Sequence, residues 1–348
     1  MLLKSKVLGE YSSKFLRFGP TPVFEAFWRF AAERQAIFFR RLAGAASPWT
    51  NDPILSQFKF TNVYRASDRV SQFLIREVIY NGDQSVREVF FRVVLFKLFN
   101  KIETWRLLAN ALVDPVSTAT PLSRIRDILS GVRASGLKLY SGAYIMPSGT
   151  GVFRSERKYE SHLGLIEHML DRSAPERLAE CKTMSQAFAL LRSYPMLGDF
   201  LAYQYVIDLN YSDATDFSES EFVMPGPGAK SGIRKCFGQL DGMTESDLIK
   251  MVSDEQEEEF ERLGIKFQYL PGRRLQYIDC QNLFCEIDKY SRVSHPEIQG
   301  QSGRTRIKQR FRPSGAPCSP WYPPKWGINN LFHNAGLGLH LVGSHEPS

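Results

Sequence analysis

Phe222-Val-Met-Pro-Gly-Pro-Gly-Ala-Lys-Ser-Gly-Ile233 is the stretch on which the reading of this chain turns. Gly226 and Gly228 can take positive φ, and Pro225 and Pro227 fix the backbone ahead of each, so residues 222–237 read as a tight hairpin feeding a helix. From Ala229 to Phe237 that helix is basic, with Lys230, Arg234 and Lys235. A glycine turn at a helix N-terminus presents backbone amides to an anion, most often a phosphate. It is not a nucleotide loop. A P-loop has a glycine directly before its lysine and a buried strand leading in. Here Ala229 precedes Lys230, and Met224-Pro225 occupy the entrance. A simple helix connector explains the same glycines; the cations beyond the turn favour phosphate.

With 348 residues the chain can bury a large core in one big domain or two smaller ones. Its 43% hydrophobic and 23% charged residues are those of an ordinary globular protein, with aromatics raised to 13%. A net charge of +7 favours a polyanionic partner. Cys181, Cys236, Cys280, Cys285 and Cys318 form no C-x-x-C pair, which argues against a disulfide framework and structural zinc. No metal site is expected and no cofactor is evident. The sequence has no uninterrupted apolar run of about 18 residues, so no transmembrane helix is expected. The opening Met1-Leu-Leu-Lys-Ser-Lys6 has no secretory pattern. The expectation is an intracellular protein, nuclear if the source is eukaryotic.

Working outward, Phe24, Phe27, Phe30, Ile37 and Phe38 recur at helical spacing from Pro22 to Leu42, against Arg29, Arg34, Arg40 and Arg41. That helix packs a core or offers a basic face. The spacing predicts a helix from about Ser67 to Tyr80, a break at Asn81-Gly82-Asp83, and a central buried helix from Ser85 to Phe99. Thr118–Gly131, Lys158–Leu170, Leu178–Arg192 and the segment after Gly198 read as further helices. Tyr140–Phe153 reads as a surface loop with a short extended piece at Ala143–Met146. The acidic run within 244–263 reads as a solvated helix face. The expected fold is mainly α. Residues 1–54 are a helical extension, 55–312 a helical domain with its hairpin at 222–237, and 313–348 an irregular Pro- and Gly-rich tail.

Two sets of polar residues stand out as candidate sites. In Leu275–Tyr290, Asp279 sits where a helix begins, as an N-cap candidate. Asn282, Glu286 and Lys289 continue one helical stripe from it, with Asp288 off the stripe. In the N-terminal half, Asn100, Lys101 and Glu103 follow the buried helix, and Lys101 and Glu103 either pair or line a cavity. Gln204 and Asp208 share one face of an apolar helix. Arg65 and Arg69 belong to a basic rim or pair with acids. Capping and buried hydrogen-bond networks explain these residues as well as a site does.

The order hairpin, short apolar segment, then aspartate at a helix start resembles the helix-hairpin-helix DNA glycosylases, whose hairpin amides grip a DNA phosphate. The spacing here is longer, with the acidic segment 241–270 between. More specifically, five segments in order resemble the DNA base hypermodification proteins. They are Tyr64-Arg65…Ser71, Phe90…Trp105, Phe200…Ser212, Gly226…Ile233 and Asp279…Tyr290. That family includes the helical domain of 5-hydroxymethyl-deoxyuridine (5-hmdU) DNA kinases and the α-glutamyl/putrescinyl thymine pyrophosphorylases.

The resemblance implies action on 5-hydroxymethyluracil-derived thymine bases in DNA, with an amine or amino acid displacing a phosphoryl or pyrophosphoryl group. Lys101, Lys289 or Arg65 would then serve the leaving anion, and Asp279, Glu286 or Glu103 the incoming amine. Gly226, Gly228, Lys230, Arg234, Lys235, Arg65 and Arg69 would hold DNA, with Asn100, Gln204, Asp208 and Asp288 in support. No kinase domain and no donor-binding motif are recognisable, so a separate DNA-base kinase is an expected partner. Excision of modified bases and non-catalytic DNA binding remain open alternatives.

Overall fold

The computed structural model describes residues 11–112, 115–142, 146–301, 303–312 and 318–335. The described residues are mainly helical, and their β pairing is confined to isolated bridges. The chain divides into two compact units, Met1–Ser67 with Pro227–Ser348, and Asp68–Gly226.

The first unit is organised around helix Pro22–Leu42. Thr21 caps it by accepting from the Val23 N–H, and Pro22, which has no N–H to leave unpaired, opens it. Its apolar stripe is aromatic. Phe24 packs on Phe15 and Phe237, Phe27 on Phe284, and Trp28 on Phe260, which stacks on Phe267. The raised aromatic content therefore goes into this core, and the helix is a core-packing one. The acidic run forms helices Glu245–Asp254 and Gln256–Arg262. Glu257 and Glu258 face solvent, as expected, but Glu259 is buried and held by Arg262 at 2.7 Å. The described part of the tail is more regular than its composition predicts. Tyr322 is buried against Trp326 and Phe332, with Pro324–Trp326 as a 3-10 turn and Asn329–Ala335 as a helix.

The second unit centres on helix Val86–Phe99, buried on nearly every side from Val89 onward, as its all-round apolar pattern predicts. Asn100 ends it in the left-handed conformation, φ 47°. The expected helix at 67–80 is instead a short helix, Arg69–Phe73, running into a π-helical turn, Leu74–Ile79. Arg92 accounts for that ending. Its buried guanidinium donates to the carbonyls of Val78 (2.8 Å), Ile79 (2.9 Å) and Asp83 (2.6 Å), which satisfies acceptors that a helix end leaves bare. The single helix expected over 178–192 is two, Ala174–Glu180 and Met184–Arg192. Thr183 breaks the run by capping the second helix through the Gln186 N–H at 3.1 Å. Of the extended piece expected at 143–146, residues 143–145 lie outside the described residues.

Candidate functional site

Helices Pro227–Cys236 and Tyr277–Ser294 approach until their backbones nearly touch. A Cβ on Gly232 would stand 1.9 Å from the Phe284 carbonyl oxygen, and one on Gly228 would stand 2.3 Å from Cys285 Sγ. This corrects the reading of the glycine turn. Neither Gly226 nor Gly228 takes positive φ, and Gly228 lies inside the first turn of the helix rather than ahead of it. Glycine is required there by space. In the second unit, a Cβ on Gly226 would meet the Phe200 ring at 2.6 Å.

One face of this helix pair holds a closed polar network. Lys235 is 2% exposed and donates to Asp288 O (2.9 Å) and Ser291 Oγ (3.1 Å), with its charge 3.3 Å from Asp288 Oδ1. Ser231 donates to the same oxygen at 2.7 Å, and Arg292 pairs with Asp288 Oδ2. A buried cation needs such a set of acceptors. Lys235 thus departs from its expected place on a phosphate: it fastens one helix to the other. Lys230 is exposed, and Arg234 is half-buried beside Glu245 at 3.1 Å.

The predicted stripe occupies another face of Tyr277–Ser294. Asp279 is not the N-cap. Gln276 is, and Asp279 at the third helical position accepts from the Gln276 N–H at 3.0 Å, closing a capping box. Its other oxygen accepts from the Arg65 backbone N–H at 2.8 Å, so the carboxylate joins the helix start to the segment before Ser67. Glu286 accepts from the Thr61 N–H at 3.0 Å and pairs with Lys289 at 2.7 Å. The Lys289 ammonium lies 4.4 Å from the centre of the Phe60 ring. Asn282, one turn before Glu286 on the same helix, is half-buried. The stripe is therefore laid along residues 60–65, and both Arg65 and Asp279 are buried.

Neighbouring groups are held in their neutral forms. Burial, and then the Asp279 charge, raise the Tyr64 phenol far above its ordinary range. Its hydroxyl donates to Arg273 O at 2.6 Å. Burial pushes the Cys285 thiol up to about 12, so it is not a nucleophile at neutral pH.

In the second unit, Asp208 forms a buried ion pair with Lys97 at 2.9 Å, and Lys97 donates to Asn100 Oδ1 at 3.0 Å. Gln204 lies one turn before Asp208 and is buried. Lys97 was not among the predicted site residues. The available signal is the one lysine inside the apolar helix Val86–Phe99 and an aspartate, Asp208, among apolar residues of helix Asp199–Leu209, each of which needs a partner. Lys101 and Glu103 form no ion pair with each other. Lys101 donates to the Lys138 carbonyl, and Glu103 is exposed, as is Arg69.

Within the first unit, then, Asp279 meets Arg65 and Glu286 meets Lys289 along one helix that also carries Asn282. Within the second, Asn100, Asp208 and Lys97 come together, with Gln204 one turn from Asp208 on its helix. Residues 21–300 match the family described as "5-hmdU DNA kinase, helical domain". A relative, the 5-hmdU DNA kinase of Bacillus phage SP10, is 29% identical over 278 residues, covering 74% of this chain and 43% of that protein. The chain thus spans less than half the length of that relative. No solved structure matches.

Proposed function

The chain belongs to the family of 5-hmdU DNA kinase helical domains, and from that premise we propose that it takes part in building hypermodified thymine bases in DNA. The family match over residues 21–300 carries this reading, and the relative's name points to 5-hydroxymethyluracil in DNA as the substrate class. In the proposed step, an amine nitrogen bonds to the exocyclic methylene as the bond from that carbon to the phosphoryl or pyrophosphoryl oxygen breaks. The electron pair leaves with the anion, and a carboxylate takes the amine proton. The base must leave the stack to be reached.

Glu286 and Lys289 are the pair we assign to this chemistry, as base and as anion partner, because both charges sit side by side at 2.7 Å. Asp279 and Arg65 position them by fixing the helix start against residues 60–65. Lys230 and Arg234 are the cations assigned to the DNA backbone. Helix-hairpin-helix character, as in the DNA glycosylases, is part of the same proposal.

A second reading has its own support. Asp279 has both oxygens engaged with backbone, and Glu286 and Lys289 neutralise each other. Satisfied groups of this kind suit a non-catalytic module that binds DNA for a separate kinase. One experiment separates these readings: mass spectrometry of nucleosides from 5-hydroxymethyluracil-containing DNA co-expressed with this chain and a DNA-base kinase. The transfer reading expects a heavier nucleoside that disappears with Glu286→Gln. An unchanged profile despite tight DNA binding would sink it in favour of the module, and abasic sites would indicate excision.

A further inference from the structure

Beside the stripe, the first unit holds a cleft with an unusual combination of walls. Arg34 and Arg41, two turns apart on helix Pro22–Leu42, line it together with Trp49, Phe58, Phe60 and Phe311. No carboxylate is among its described lining residues. The nearby Glu33 is engaged by Arg40 at 2.8 Å and by Thr50 at 2.6 Å.

The walls are held in place. The Trp49 indole N–H donates to Ala45 O at 2.7 Å, Arg40 donates to Trp49 O at 2.6 Å, and the Arg41 guanidinium lies 5.1 Å from the centre of the indole. Arg34 is oriented by its Nε–H on Thr61 O at 2.9 Å. The same short segment braces the candidate chemistry, since Thr61 N–H holds Glu286 and the Phe60 ring carries Lys289.

Four aromatic rings are more than an inorganic anion requires. Arg41, set beside Arg34, brings more positive charge to these walls than a neutral apolar ligand requires. Together they select a planar ring that bears negative charge, the ring against indole or phenyl and the anion on guanidinium. We infer that this cleft receives a pyrimidine turned out of DNA whose exocyclic methylene carries a phosphoryl group. The inference rests on the reading that modified thymine in DNA is the substrate, and it sets the base against Phe60, the ring that also carries Lys289.

The test uses the full chain and duplexes of about 20 base pairs that differ at one central base: thymine, 5-hydroxymethyluracil or 5-phosphomethyluracil. Fluorescence anisotropy should show the phosphomethyl duplex bound roughly tenfold tighter than the thymine duplex. Arg41→Gln should bring that ratio close to one and leave the thymine duplex within about twofold. If Arg41→Gln keeps the full preference, the cleft assignment fails while the modified-DNA reading stands. If the wild-type chain binds all three duplexes equally, both fail. Displacement of the phosphomethyl duplex by thymidine monophosphate at equal concentration would overturn the assignment to a base in DNA. A second measurement does not depend on variants: 5-iodouracil at the central position, irradiated in the complex, should crosslink to Trp49, Phe58 or Phe60. Crosslinks found only elsewhere would overturn the inference.

Discussion

A Cβ on Gly232 would press on the backbone of Phe284, with 1.9 Å to its oxygen and 2.7 Å to its carbonyl carbon, and a main chain cannot swing aside as a side chain does. Gly232→Ala should therefore separate helices Pro227–Cys236 and Tyr277–Ser294 and cost about 3 kcal/mol, read as a lower urea midpoint. Gly131, in helix Leu122–Ala134, has nothing within 4 Å of its virtual Cβ. There Gly131→Ala should stabilise by roughly 0.5–1 kcal/mol, because it only removes backbone freedom from the unfolded chain. Opposite signs in the same assay check the packing account. The sequence marked the Gly-Pro-Gly turn as special for its dihedrals. The crowding that matters comes from a helix some fifty positions later, which no local pattern reveals. Asp279 was legible as a capping residue for a local reason, the Gln276 N–H three residues back, whereas its bond to Arg65 N–H is not local.

Helix Lys158–Asp171 shows what a buried polar group does to an element. His162 is fully buried; its Nε2–H donates to Pro147 O at 2.9 Å and its Nδ1 accepts from the Tyr140 hydroxyl at 3.0 Å. Burial, with the nearby Lys158 charge, lowers its pKa to about 4 against the hydrogen bond to Pro147. An unfolded histidine protonates near 6.5, so below that pH the unfolded chain binds the extra proton. The stability is fully present above about 6.5 and is lost as pH falls toward 4, by roughly 3 kcal/mol in all. Urea midpoints between pH 7.5 and 4.5 should drop less steeply for His162→Asn than for the wild type. The same logic applies to helix Val86–Phe99. Its apolar period shows that it is central, but not that Lys97 meets Asp208 from a helix far along the chain.

Across the whole molecule, the net charge of +7 offers DNA a favourable field that salt screens. If about five phosphates are neutralised, log affinity should fall with log salt at a slope of about −4.5. Lys230→Gln with Arg234→Gln should flatten that slope by roughly 2 and affect all sequences alike. A flat salt response in the wild type would remove the phosphate role from these two residues. Lys235, counted with them by sequence position, should leave the slope unchanged when replaced, because it is enclosed with Asp288.

The sequence by itself determined that the chain is mainly helical, where the buried central helix runs, and to which family it belongs. Those are consequences of apolar period, of capping chemistry and of motif order, all of which are written along the chain. Only the tertiary structure decided which polar residues meet. It took Lys235 off the surface and paired Lys97 with Asp208. It laid Asp279, Glu286 and Lys289 along residues 60–65, and it brought Arg34, Arg41 and Trp49 to one aromatic cleft. The reason is that a buried charge or a packed glycine is fixed by its partner, and the partner's place in the chain is set by the fold rather than by its neighbours in sequence.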